Sequence, residues 1–245
     1  MDLMNRPWVD YDAFRHETDL AILPTGAVEV YGPHLPTGTD TIVVAHVARQ
    51  VSEQVGAVLL PTLPVGFSRG LGGFPGTLNI SPGTVAAYAR EVAESIIPWG
   101  IKRFLFINNH RGNLGPINEV AMELQDKYGV VCAQVFWWDF VGPIIKDVIP
   151  GRGHGGEIAT AMMLHLDPDL VVHDRIKNPP PAVAIPYPDI TRYKGGVDRL
   201  PHGVGGEPEA VNAEQGEIAV KRGVDRIVNF VNEEFGGPGK GANQE

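Results

Sequence analysis

The chain has 245 residues, 43% of them hydrophobic, which is enough to bury the core of one enzyme-sized domain. Its 20 basic and 29 acidic residues give a formal net charge of −9, and lysine and arginine form no stripe, which argues against a nucleic-acid-binding groove. The N-terminal residues are too polar for a signal peptide and no apolar run approaches ~18 residues, so we expect a cytoplasmic protein with no membrane partner.

Short apolar runs alternate with helical patterns along the chain, which predicts a mostly parallel sheet covered by helices on both faces. The predicted strands cover residues 20–24, 57–63, 103–108 and 130–136. Hydrophobic spacing predicts helices over residues 41–55, 81–97, 113–127, 156–166 and 213–235. We expect Asp40 or Thr41 to cap the first of these helices.

The remaining segments predict one domain with a long loop and a short tail. Residues 177–208 are rich in proline and glycine without periodicity, which is typical of a functional loop. Residues 1–237 are expected to form a single domain, and residues 238–245 a disordered tail.

Polar clusters follow the predicted strands. Residues 29–40 read EVYGPHLPTGTD after the first strand, residues 108–113 read NNHRGN after the third, and residues 153–157 read GHGGE. The carboxyl ends of parallel strands meet at one edge of a sheet, so these clusters are expected to converge there. Buried carboxylates need a compensating partner, and together with imidazoles they supply the O and N donors of Zn, Mn or Fe sites.

The same clusters resemble the motifs of the creatininase (creatinine amidohydrolase) family. Residues 26–40 match a first loop that ends in Thr-Asp, residues 74–77 a Phe-Pro-Gly-Thr element, and residues 108–113 an Asn-Gly-His-Gly-Gly-Asn loop. Residues 154–161 match a His-Ala-Gly-Glu helix start. The resemblance covers about residues 20–235. It implies a three-layer α/β/α fold, a centre of one or two divalent metals that activates water, and often a hexamer.

Several positions depart from the family pattern. Tyr31 stands where the family has a metal-binding histidine, and Ala159 replaces a second glutamate of the helix start. Ala161 replaces a serine, Leu71 a histidine and Arg111 a glycine. The number of metal ions and the substrate therefore stay open.

The resemblance and the side chains themselves together predict the following roles. The predicted metal ligands are Glu29, Asp40, His110 and Glu157. His154 is the predicted proton donor to the leaving group, with Glu157 as a second catalytic residue. The predicted substrate contacts are His34, Tyr31, Arg111 and Trp138. Plain packing for His34, a cavity wall for Tyr31 and a surface ion pair for Arg111 are the alternatives.

Three functions are compatible with these residues. The first is a metal-dependent amidohydrolase that cleaves a non-peptide C–N bond in a small cyclic amide or formamide. The second opens the ring of a cyclic diketone derived from inositol, as some relatives do. The third is an inactive, metal-poor binding protein. The apolar segment of residues 135–138, together with the resemblance, predicts a homo-oligomer.

Overall fold

The computed structural model describes residues 1–180, 200 and 202–237 and contains a parallel sheet of four strands. The strands are β1 (Leu20–Thr25), β2 (Val58–Leu59), β3 (Arg103–Asn108) and β4 (Val131–Phe136). They lie in the order β2-β1-β3-β4, with every neighbouring pair parallel. The chain thus leaves β1 toward one side of the sheet and returns to β3 on the other. Such a switch in strand order opens a crevice at the carboxyl ends of the strands.

The described residues form seven α-helices. They are α1 (Trp8–Phe14), α2 (Thr39–Val55), α3 (Pro82–Ile96), α4 (Leu114–Tyr128), α5 (Trp137–Ile144), α6 (Glu157–Leu166) and α7 (Ala213–Glu233). None of these helices is long and apolar enough to cross a membrane.

Two hydrophobic cores cover the two faces of the sheet, because neighbouring residues of a strand point to opposite faces. Leu20 and Ile22 of β1 pack with α2, α5, α6 and α7, whereas Ala21 and Leu23 pack with α3 and α4. All four side chains are fully buried. The predicted arrangement, a three-layer α/β/α fold with a parallel sheet, is therefore confirmed.

Differences from the predicted elements have local causes. The second strand was predicted over residues 57–63, but β2 has two residues, followed by an isolated bridge between Leu63 and Thr25. Pro61 and Pro64 lack the backbone N–H that a ladder needs.

The sequence analysis did not predict α1 and α5, which are only 7 and 8 residues long. Most of the predicted loop over residues 177–208, and the predicted tail, lie outside the described residues.

Candidate metal centre

Three potential ligands meet where β1 and β3 end. Glu29 lies in the loop after β1, Asp40 in the first turn of α2, and His110 two residues beyond β3. Their ligand atoms all lie within 4.8 Å of one another, and all three residues are buried. Nδ1 of His110 is 3.1 Å from Oδ2 of Asp40 and 3.4 Å from Oε1 of Glu29. Among the described residues this is the only group of three or more such side chains close enough to share an ion.

The ring of His110 is held from its far side. Its Nε2 donates to the carbonyl oxygen of Phe67 at 2.9 Å and lies 3.3 Å from Oγ of Ser68. A Cβ on Gly112 would collide with that carbonyl oxygen, so the chain can make this contact only with glycine there. Because the carbonyl accepts the proton of Nε2, Nδ1 is the nitrogen that faces the two carboxylates, and loss of its proton would leave a lone pair for an ion there, as in metal sites whose histidine has a second hydrogen-bonded partner.

The pKa values of these three residues show that the site needs a positive charge. Burial disfavours the charged imidazole, but the hydrogen bonds to Asp40 and Glu29 and the negative charges of these carboxylates together outweigh burial and raise the pKa of His110 to about 10. Burial raises the pKa of Asp40. Burial also disfavours the charged form of Glu29, but its hydrogen bonds to His110 and Ser68 and the attraction of the neighbouring imidazoles together outweigh burial and lower the pKa of Glu29. In the protein alone, a proton thus supplies the positive charge that two buried carboxylates require. Two carboxylates and one imidazole also suit a divalent transition metal.

Asp40 is held by two further side chains. Its Oδ1 accepts hydrogen bonds from the Tyr31 hydroxyl and, at 2.9 Å, from Nε1 of Trp138. Burial and the nearby carboxylates raise the pKa of Tyr31 well above its usual range, which keeps its hydroxyl protonated. The predicted capping role of Asp40 is wrong, because the N-cap of α2 is Gly38, which makes no side-chain cap bond. The Asp40 carboxylate is used within the site instead.

The three ligands open into a cavity of about 790 Å³. Its size suits a small organic substrate. Its walls combine aromatic and charged groups, including Phe67, Phe136, Trp138, Arg111, Arg152 and His154. The cavity therefore brings the three clustered ligands together with four of the other predicted site residues, Tyr31, Arg111, Trp138 and His154.

His154 has an assignable proton on one nitrogen. Its Nε2 donates to the carbonyl oxygen of Val30 at 2.7 Å, and its ring lies against Tyr31 with 4.4 Å between ring centroids. Because Nε2 is committed to this carbonyl, Nδ1 is the atom that can exchange a proton with a substrate.

Glu157 lies outside the group of three ligands. Its carboxylate accepts hydrogen bonds from the backbone N–H groups of Glu207 at 2.9 Å and Gly153 at 3.1 Å. A Cβ on Gly151 or Gly206 would collide with the same carboxylate. Glu157 thus joins two glycine-rich loops, and its predicted ligand role stays a prediction.

Two predicted substrate contacts have other partners in this structure. His34 is fully buried, is not part of the cavity wall, and has Nε2 2.9 Å from Oγ1 of Thr160. Arg111 reaches the cavity but also pairs with Asp139 at 2.9 Å, with 70% of its side chain exposed. A role in substrate binding stays a prediction for both.

The sequence analysis missed three asparagines that align the loops. Asn108 Oδ1 accepts from the His110 backbone N–H at 3.0 Å, and Asn109 Nδ2 donates to the Asp40 carbonyl at 3.0 Å. Asn113 connects Gly26 and Phe67 through its side-chain amide. The available signal was the presence of three amides around one histidine directly after a buried strand.

Comparisons with known proteins agree with this geometry. Residues 4–231 match the family model described as creatinine amidohydrolase. The chain is 30% identical to the creatinine amidohydrolase of Pseudomonas putida over 93% of this chain and 95% of that protein. It is also 30% identical to a mycofactocin precursor peptide peptidase of Mycolicibacterium smegmatis, over 81% and 78% of the two chains. A 3-dehydro-scyllo-inosose hydrolase of Thermotoga maritima is 23% identical over 88% of this chain and 76% of that protein.

Solved structures extend the likeness to the fold. One named as the manganese form of creatininase superposes with a TM-score of 0.83, at 27% identity over 96% of this chain and 98% of that one. A creatininase variant described as Zn-Zn type has a TM-score of 0.82, at 26% identity over the same shares of the two chains.

Proposed function

Because this chain belongs to the creatininase family of metal-dependent hydrolases, we propose that it cleaves a C–N bond in a small cyclic amide or formamide. The observation that carries the proposal is the convergence of Glu29, Asp40 and His110 at a cavity that also presents His154. The two relatives at 30% identity are both named for amide-bond hydrolysis, whereas the ring-opening inosose hydrolase is more distant at 23%.

Each residue of the site has a task in this reaction. Glu29, Asp40 and His110 would hold one divalent ion of Zn, Mn or Fe, and a bound ion would polarise the substrate carbonyl and activate water. Nδ1 of His154 takes the proton that the attacking water releases and passes it to the leaving nitrogen, while the Nε2–H bond to Val30 fixes the ring. Trp138 and Tyr31 form one wall of the substrate cavity, and Arg111 stands on the wall as a contact for polar substituents.

We assign Glu157 a supporting task in this proposal. Its bonds to Gly153 and Glu207 fix the loop that carries His154. His34 supports the same region, because it joins the first loop to Thr160 of α6.

The subunits are also proposed to associate. In the segment of residues 135–138, Trp137 is fully buried in the core and Trp138 lines the cavity, while Val135 and Phe136 are partly exposed. Large exposed side chains also occur near the N-terminus, with Trp8 77% and Met4 71% exposed. Light scattering that gives the mass of one chain at micromolar concentration would contradict association.

Elemental analysis and product analysis test the function together. The purified protein is expected to contain a divalent transition metal, to lose hydrolysis on chelation, and to regain it with Mn²⁺, Zn²⁺ or Fe²⁺. The substrate panel contains creatinine, other cyclic amides, formamides, short peptides and keto-inositols. If only the keto-inositols are turned over, the proposed function is ring opening and not amide hydrolysis. Protein that takes up no metal after incubation with these ions would instead support the inactive binding protein.

A further inference from the structure

The two carboxylate oxygens of Asp40 face different surroundings. Oδ2 lies 3.1 Å from Nδ1 of His110, on the side of the three clustered ligands. Oδ1 accepts hydrogen bonds from the Tyr31 hydroxyl and from Nε1 of Trp138. One oxygen is thus directed at the candidate ion, and the other is committed to two protein donors.

The nature of these donors limits what Oδ1 can bind. An indole N–H only donates hydrogen bonds and offers no lone pair to a cation. It places a hydrogen, with its partial positive charge, on the side of Asp40 where a second ion sharing this carboxylate would bind. When a carboxylate bridges two ions with one oxygen on each, each oxygen must keep a lone pair for its ion, and here the donors Trp138 and Tyr31 occupy both lone pairs of Oδ1.

The two donors are fixed in place. Tyr31 is only 3% exposed, its ring packs against His154, and its ring centroid lies 6.4 Å from that of Trp138. Trp138 lies in the first turn of α5. Because α5 directly follows β4, the sheet sets the position of Trp138.

Further ligands for a second ion are missing around this carboxylate in the described part of the chain. The only group of three acidic or histidine side chains there is the one already assigned. Glu157 is the other buried glutamate of the region. Its carboxylate accepts hydrogen bonds from the backbone N–H groups of Gly153 and Glu207. Ala159, which follows Ile158 in α6, also lines the cavity and offers no ligand atom.

We propose that each chain binds a single divalent ion, and that Tyr31 and Trp138 are positioning residues that hold Oδ1 of Asp40 so that Oδ2 serves as a one-oxygen ligand. This inference rests on the proposed metal centre and deepens it. It sets the chain apart from the relative whose structure is described as Zn-Zn type.

The experiment measures metal per chain and metal affinity in the native protein, in Tyr31→Phe and in Trp138→Phe. The native protein is expected to hold one ion that resists dialysis, even in excess Zn²⁺ or Mn²⁺. Each variant should keep that stoichiometry but bind the ion about ten- to a hundred-fold more weakly in a competition titration with a chelator, the usual effect of losing a partner of a metal ligand. Melting temperatures of the metal-free proteins separate this loss from a general defect in folding.

Matched controls use the same residue types elsewhere. Tyr128→Phe removes a hydroxyl that donates to Glu94 on the surface, and Trp99→Phe changes a half-exposed ring. Neither control should alter metal affinity. Tyr31→His supplies an imidazole beside Oδ1, and uptake of a second ion by this variant alone would support the inference.

The outcomes distinguish the two proposals. Two tightly held ions in the native protein would overturn the single-ion centre and leave the hydrolase intact. Unchanged affinity in both Tyr31→Phe and Trp138→Phe would overturn the positioning role. A native protein that takes up no ion would remove the proposed function and this inference with it.

Discussion

This protein has buried carboxylates in two regions, at Glu157 and at the pair Glu29 and Asp40. The two regions differ in the groups that neutralise the carboxylates. Glu157 is 7% exposed, and backbone N–H groups of two glycine-rich loops satisfy its carboxylate. Glu29 and Asp40 are 4% and 0% exposed, and both face Nδ1 of one imidazole. A buried carboxylate that is paired with backbone amides supports the fold, whereas two carboxylates that converge on one nitrogen need a cation. The partner of a buried charge, more than its burial, identifies the site.

The largest effect is expected from Asp40→Asn, which keeps the shape of the side chain but removes its charge. Without that charge the remaining Glu29 and His110 are too few ligands for a tight divalent site, so the variant should lose both bound metal and hydrolysis. Elemental analysis and the amide-hydrolysis assay measure this. Asp147→Asn, which removes a surface partner of Arg222, is the control. Metal content equal to that of the native protein would contradict the assignment.

The second largest effect is expected from His154→Ala. Loss of a positioned proton donor should reduce turnover by ~10²- to 10⁴-fold while metal content stays native. His46→Ala, which removes a partly exposed imidazole paired with Asp167, should change neither. Loss of the metal would place His154 among the ligands. Near-normal turnover would show that its bond to Val30 is its main role.

Glu157→Gln tests the other half of the comparison. The amide offers one acceptor oxygen to two backbone donors, so one of them is left unsatisfied. The free energy of unfolding of the metal-free protein should fall by roughly 1–3 kcal/mol, measured by urea denaturation, with metal content unchanged. Glu123→Gln, at a partly exposed ion pair with Arg90, should cost less than ~1 kcal/mol. Loss of metal at native stability would move Glu157 into the metal site.

The smallest effect on stability is expected from Arg111→Gln. Arg111 and Asp139 form an exposed pair, with 70% and 58% of their side chains accessible, so the free energy of unfolding should change by less than ~1 kcal/mol. A substrate contact predicts a raised KM at unchanged metal content. Arg222→Gln, which breaks another exposed pair, is the control. Unchanged steady-state kinetics would restrict Arg111 to its ion pair.

The fold could be predicted where the local pattern was strong. Short apolar runs located β1 and β3, and hydrophobic spacing located α3, α4 and α6 to within about a residue at each end. The short α5 could not be found in this way. It is 8 residues long and contains Pro143, and it is stabilised by core packing of Trp137 more than by its own sequence.

The sequence by itself determined which donors the site contains. Glu29 and His110 lie in the loops directly after β1 and β3, and Asp40 lies in the first turn of the helix that follows β1. Parallel strands bring their carboxyl ends to one edge of the sheet, so the convergence of these residues follows from chain order and strand direction. Only the tertiary structure decided how each charge is neutralised. The bond from Trp138 to Asp40 spans 98 positions, and that from the Glu207 backbone to Glu157 spans 50. Hydrogen bonds depend on a few tenths of an ångström and on direction, which no residue pattern encodes. Glutamate therefore serves as a candidate metal ligand at position 29 and as a loop anchor at position 157.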